Sequence, residues 1–199
     1  MIFYDEDYPA DPYPGARPDC SFVHFDGGGS PLPETLEFDG RIPVLAYGSN
    51  ACPSKITWLR ENLGLTGQVI VLRAQCTGMA AVWAAGLRMR DGQRPATLAA
   101  MPGIVETHAV WLATPEQLAV LDVCEGRGKR YHLARLGGGV SVDGGHDLPE
   151  VFAYVGASSV RMPLLVDGRP VRTADVPQAA AAVLRGVPAP SHGLDLMIV

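Results

Sequence analysis

The chain has 199 residues, of which 47% are hydrophobic and 19% charged, and its formal net charge is −5. That length suits one domain with an added arm, and the acidic balance, without a long basic stripe, argues against a nucleic acid partner. The acidic opening from Met1 to Asp7 lacks a basic leader start, and no apolar run approaches the roughly 20 residues of a membrane span, so a cytoplasmic protein with no membrane partner is expected.

Residues 1–40 carry several prolines, the acidic cluster Asp5-Glu6-Asp7 and the turn-forming run Asp26 to Ser30, with little amphipathic periodicity. They read either as a flexible arm or as an ordered strap, and partial order is expected because Phe22 to Phe25 can pair as a strand. The domain proper, 41–199, opens with an apolar strand, Pro43 to Tyr47, that stops abruptly at Gly48-Ser49-Asn50. This loop has two readings. Gly, Ser and Asn are ordinary turn residues, and backbone N–H groups in such a turn also converge on an anion or a developing oxyanion.

A helix is predicted from Pro53 to Leu63, with Ile56, Leu59 and Leu63 at helical spacing and a stop at Gly64. Short strands follow at Val69–Cys76, Met79–Ala84, Ala96–Met101 and Thr107–Ala113, separated mostly by Gly-, Pro- or Asp-containing turns. Thr114-Pro115-Glu116-Gln117 is a helix start in which Thr114 caps and Gln117 completes a capping box. Gly126 ends that helix, which leaves Glu125 in the last turn, where the helix field favours Lys or Arg. The field disfavours its ionised form. A raised carboxyl pKa is what a general base working near neutrality needs.

Tyr131–Leu136 and Val151–Val155 read as further strands, and the Ala-rich stretch Pro177–Arg185 as a third helix ended by Gly186. The apolar tail Leu194–Val199 calls for burial, either on the sheet or at a homodimer interface. Many strands with few helices suit a closed or nearly closed sheet. The glycine runs at 137–139 and 144–145 lack phosphate-loop spacing and read as hairpin turns. Arg127 to Arg130 is either a solvated hairpin tip or a draw for a substrate carboxylate. Cys20, Cys52, Cys76 and Cys124 show no CxxC spacing, and reduced thiols are the default. Cys52 and Cys124 flank the site motifs and read either as a thiol nucleophile with His132 as base or as plain small hydrophobes. The histidines are scattered without ligand spacing, so neither a metal nor another cofactor is expected.

Taken in order, Tyr47-Gly48-Ser49-Asn50, Ala96 to Gly103, Ala109 to Leu112, and Leu121 to Gly126 with Tyr131 resemble the motifs of the γ-glutamylcyclotransferase-like family. The resemblance runs from about Pro43 to Tyr154. It implies an α+β fold, a small mixed β-barrel with flanking helices, and a pocket between the Tyr-Gly-Ser-Asn loop and the glutamate. It also implies a cyclotransferase that converts a γ-glutamyl amide to 5-oxoproline, with Tyr47, Gly48, Ser49 and Asn50 as the substrate loop, Glu125 as acid/base and Tyr131 lining the pocket. The partner would be a small molecule with a γ-glutamyl group; a γ-glutamylamine, a larger γ-glutamyl conjugate, or a binding protein without turnover are the alternatives. One departure is visible. Many members of that family carry a proline followed shortly by a tyrosine after the last core strand, where this chain reads Arg161-Met162-Pro163-Leu164-Leu165-Val166, so a second pocket tyrosine is missing or supplied from elsewhere.

Overall fold

The computed structural model of the chain describes residues 1–36 and 38–199. In chain order the elements are β1 (Phe3–Tyr4), β2 (Phe22–Phe25), β3 (Gly28–Ser30), β4 (Ile42–Ala46), α1 (Pro53–Leu63), β5 (Val69–Trp83), β6 (Ala96–Ala113), α2 (Pro115–Glu125) and β7 (Tyr131–Leu136), followed by β8 (Val140–Val142), β9 (Phe152–Gly156), β10 (Leu164–Val166), β11 (Arg169–Pro170), α3 (Gln178–Val183), β12 (Val187–Pro188) and β13 (Leu196–Ile198). The main sheet runs β1-β3-β2-β5-β6-β4-β9-β7-β13 with β8 attached to β5, and β11-β10-β12 form a small second sheet. The fold is α+β with few helices and one large sheet. The expected barrel closure is not found in the pairing, because the path ends at β1 on one side and at β13 on the other.

Strand periodicity explains the layering. Side chains alternate faces along a strand, so Val44, Ala46, Val69, Val71, Ala109, Trp111 and Ala113 share one apolar cluster with Ile56 and Leu59 of α1 and Leu121 of α2. Their neighbours Leu45, Ile70, Leu72, Ala74, Val110 and Leu112 belong to a second cluster with Tyr13, Trp83 and Leu98. Both faces of the central strands are therefore covered, which is why β4, β5 and β6 read as nearly continuous apolar runs.

The sequence predicts four strands where the structure has two. β5 continues through Gly78 and β6 through Met101 to Ile104, with the register shifting between Thr77 and Met79. Gly78 has a φ of 76°, a conformation that costs glycine little, so a bulge bends the hairpin without ending it. The apolar tail pairs at the sheet edge, Leu196–Ile198 antiparallel with Ala134–Leu136 of β7, but Met197, Ile198 and Val199 stay about half exposed, so the expected burial is only partial. Asp26 to Ser30, read as a turn, ends in β3, which pairs with β1 and β2. Among the described residues, no helix is long and apolar enough to cross a membrane.

Helix α2 follows its sequence signals closely. Thr114 Oγ1 accepts from the Gln117 N–H at 3.3 Å, and the Thr114 N–H donates to Gln117 Oε1 at 3.2 Å. Gly126 closes the helix in the left-handed region. The missing basic residue of the last turn is supplied by Arg130, which folds back and donates to the carbonyls of Cys124 at 2.6 Å and Glu125 at 3.1 Å. The Arg127–Arg130 turn is thus occupied with helix capping, and Arg127 pairs with Asp122. Replacing Thr114 by Ala removes one partner of the capping box, and the denaturation midpoint should fall by the equivalent of about 1 kcal/mol; an unchanged midpoint would show that α2 does not depend on its cap.

Candidate active site

A cavity of about 330 Å³ opens where the end of β4, the end of α2, the start of β7 and the β5–β6 connection meet. Tyr47, Gly48, Ser49, Asn50, Glu125 and Tyr131, the positions singled out from sequence, all line it. The volume lies at the small end of the usual range for small-molecule sites.

The loop after β4 is fixed from behind. Trp111 Nε1 donates to the Asn50 carbonyl at 2.9 Å, and residues 49–51 form a short 3-10 turn. The amide N–H groups of Gly48, Ser49 and Asn50 have no acceptor among the described residues, so this corner of the cavity offers unspent donors. The Asn50 side chain reaches across to α2 and its Nδ2 donates to Glu125 Oε1 at 2.9 Å, while Asn50 Oδ1 is buried with no partner among the described residues.

Glu125 is half-buried overall, with its carboxylate turned into the cavity. Its pKa is raised, first by burial; the Asn50 hydrogen bond and the charges of Lys55, Arg130 and Arg161 act in the opposite direction. The helix end, the cause expected from sequence, is not the main one. The dominant cause is desolvation, and the helix carbonyls are already answered by Arg130.

Four tyrosines surround the cavity, and their hydroxyls are committed differently. Tyr47 donates to the Tyr154 carbonyl, Tyr131 to the Ala96 carbonyl at 3.0 Å, and Tyr154 to Asp122 Oδ1 at 2.7 Å. Tyr13 accepts from the Ala96 N–H at 3.0 Å and has no acceptor for its own proton among the described residues. Burial raises its pKa to about 12, so the hydroxyl stays protonated. It lies against Gly48, where an added Cβ would come within 2.7 Å of the Tyr13 Oη, which explains glycine at that position.

Tyr13 comes from the 1–40 segment, and no local pattern in that segment marks it. Its backbone is tied down by Gln93 Oε1, which accepts from its N–H at 2.7 Å, and by Gln178 Nε2, which donates to its carbonyl at 3.2 Å. Lys55, Arg88, Arg90 and Arg161 also line the cavity and were not among the predicted site residues. Lys55 was the findable one, since it sits in the first turns of α1 just after the loop.

The alternative cysteine chemistry is not assembled. Cys124 lines the cavity, but Tyr131 does too, and strand alternation turns His132 of β7 to the opposite face. Cys52 is fully buried and donates to the Tyr8 carbonyl at 3.3 Å, with its thiol pKa raised by burial.

No protein-family model and no curated protein sequence matches the chain. Solved structures similar to it include the following two. One is an uncharacterized protein from Homo sapiens, 18% identical with a TM-score of 0.49, over 60% of this chain and 69% of that chain. The other is a gamma-glutamyl cyclotransferase. It is 18% identical with a TM-score of 0.47, over 59% of this chain and 67% of that chain.

The raised pKa of Glu125 has a consequence for stability. A carboxyl whose folded pKa lies above its unfolded value contributes fully below the unfolded pKa, and that contribution is lost as pH rises through the folded pKa. Glu125→Gln, which cannot ionise and can still accept from Asn50, should therefore be more stable than wild type at neutral pH and no more stable in acid. Denaturant midpoints at the two pH values check this, and a variant less stable at neutral pH would contradict it.

Proposed function

We propose that the protein is a cyclotransferase that converts a γ-glutamyl amide to 5-oxoproline and releases the amine. The observation that carries the reading is the pairing, in one cavity, of a desolvated glutamate with a loop of unspent N–H donors, joined by the Asn50–Glu125 hydrogen bond. The ordered sequence motifs supply the substrate class.

In such an amide the α-amine attacks its own side-chain carbonyl carbon, forming a five-membered lactam as the bond to the leaving nitrogen breaks. Because the reaction is intramolecular, holding the substrate in a near-attack shape removes up to about 7–11 kcal/mol of barrier in favourable cases. The α-ammonium finds acceptors in the Glu125 carboxylate and in Asn50 Oδ1, which is buried and otherwise unpartnered. Glu125 takes one ammonium proton, freeing the lone pair, and passes it to the leaving nitrogen as the tetrahedral intermediate collapses; the second proton that the attacking nitrogen sheds on becoming a lactam N–H follows through the same carboxylate, and the amine departs as an ammonium.

The N–H groups of Gly48, Ser49 and Asn50 provide donors for an anionic oxygen, either the developing oxyanion or the α-carboxylate. The free hydroxyl of Tyr13 provides one more. It would fill the place of the tyrosine missing after the last core strand, from a different part of the chain.

Release of 5-oxoproline, followed by NMR with a panel of γ-glutamyl peptides and γ-glutamylamines, tests the reading. Glu125→Gln should lose roughly 10²–10⁴-fold in turnover while keeping fold and binding. Tyr13→Phe, which deletes only the hydroxyl, should lower kcat more than it raises KM. Full activity in Glu125→Gln would remove that residue from the mechanism.

A further inference from the structure

Arg161 is the cavity-lining cation whose side chain has no hydrogen bond or salt bridge among the described residues, although its charge is felt by Glu125 across the cavity. Its Nε and Nη1 are buried without a hydrogen-bond partner. The other cations are engaged. Arg130 caps α2, Lys55 lies over the Trp58 ring at 3.5 Å, and Arg88 and Arg90 reach Asp91 at 2.7 and 3.2 Å. A half-buried guanidinium with two nitrogens withdrawn from water and no hydrogen-bond partner is costly, and a planar carboxylate is the ligand that its fork of donors matches.

Charge around the cavity is unbalanced in the same direction. Among the described residues Glu125 is the only acidic one in its lining, against Lys55, Arg88, Arg90, Arg130 and Arg161. Arg88 and Arg90 share a single carboxylate, so the β5–β6 connection keeps positive charge at the rim. Arg161 belongs to that side. Its 3-10 turn, Ser159–Arg161, packs on the start of the connection, with the Gly86 N–H donating to the Val160 carbonyl at 2.7 Å and the Ala85 N–H to the Met162 carbonyl at 2.9 Å.

The two ends of a γ-glutamyl amide can therefore be assigned. The amine belongs at Glu125 and Asn50, and the loop N–H groups serve the α-carboxylate or carbonyl beside it, which leaves Arg161 and the rim for what lies beyond the scissile bond. We propose that Arg161 is the specificity-determining receptor for a carboxylate on the leaving amine, and that the preferred substrates are γ-glutamyl conjugates of a dicarboxylic amine, its second carboxylate lying at Arg88 and Arg90. This rests on the cyclotransferase reading above.

The test compares γ-glutamyl-glutamate, γ-glutamyl-alanine and γ-glutamyl-alaninamide, in wild type and in Arg161→Gln, with Arg161→Lys as a charge-conserving control. Wild type should prefer them in that order, the alanine conjugate exceeding its amide roughly tenfold or more in kcat/KM, as expected for a charge-assisted hydrogen bond. In Arg161→Gln the acid-to-amide ratio should fall to near one, and Arg161→Lys should restore part of it. Equal rates for acid and amide in wild type would overturn the inference and leave the cyclotransferase reading standing. If no conjugate turns over, the cyclotransferase reading falls, and calorimetric titration with γ-glutamyl-glutamate decides the receptor separately. Weaker binding by Arg161→Gln supports it; equal binding overturns it.

Discussion

The hydrogen bond from Asn50 to Glu125 spans the two halves of the site, and much of the surrounding structure serves to bring its partners within 2.9 Å. Asn50 is held by the indole of Trp111 at the far end of β6, and Glu125 by a helix capped at one end by Thr114 and at the other by Arg130. A carboxylate placed there loses water and gains one neutral hydrogen bond, so its ionised form is disfavoured. That is poor design for stability and good design for moving a proton.

The N-terminal segment completes the cavity. It enters the main sheet through β1, β2 and β3 and carries Tyr13 across to the glycine of the loop. Arg17 follows the same path and approaches the Tyr47 carbonyl at 3.4 Å and His108 at 3.5 Å. His108 in turn contacts Glu106 at 2.9 Å, a buried carboxylate that also faces Arg172 and accepts from the Ala81 N–H. The back of the loop is thereby braced by a buried polar network reaching from the arm to the bend of the long hairpin. The network is not fully satisfied, since Glu106 Oε1 and Arg172 Nε face each other at 3.1 Å without a well-aligned hydrogen bond.

Local physics made much of this legible in the sequence. Helix α2 was written in its capping box and terminal glycine, and β7 in its bounded apolar run, because those signals act within a few residues. The loop and Glu125 carried their chemistry as residue types in an ordered pattern. The bulge at Gly78 was not legible, since a glycine inside a strand pattern ends or bends it according to what pairs across. Nor was the open path of the sheet, because closure depends on whether β1 and β13 meet, and neither strand encodes the other's position. Tyr13 and Arg161 were hidden for the same reason. Each reaches the cavity by tertiary packing, and nothing in its own neighbourhood marks it.

The central claim is that Glu125 titrates above the ordinary carboxylate range and that its ionisation governs turnover. Its side-chain carboxyl can be followed by carbon NMR, the signal identified by its loss in Glu125→Gln, beside the pH dependence of kcat/KM for 5-oxoproline release. The expected result is a pKa above the usual glutamate value of about 4.3 and an acidic limb of kcat/KM that coincides with it. An ordinary pKa, or a limb that ignores it, would contradict the account.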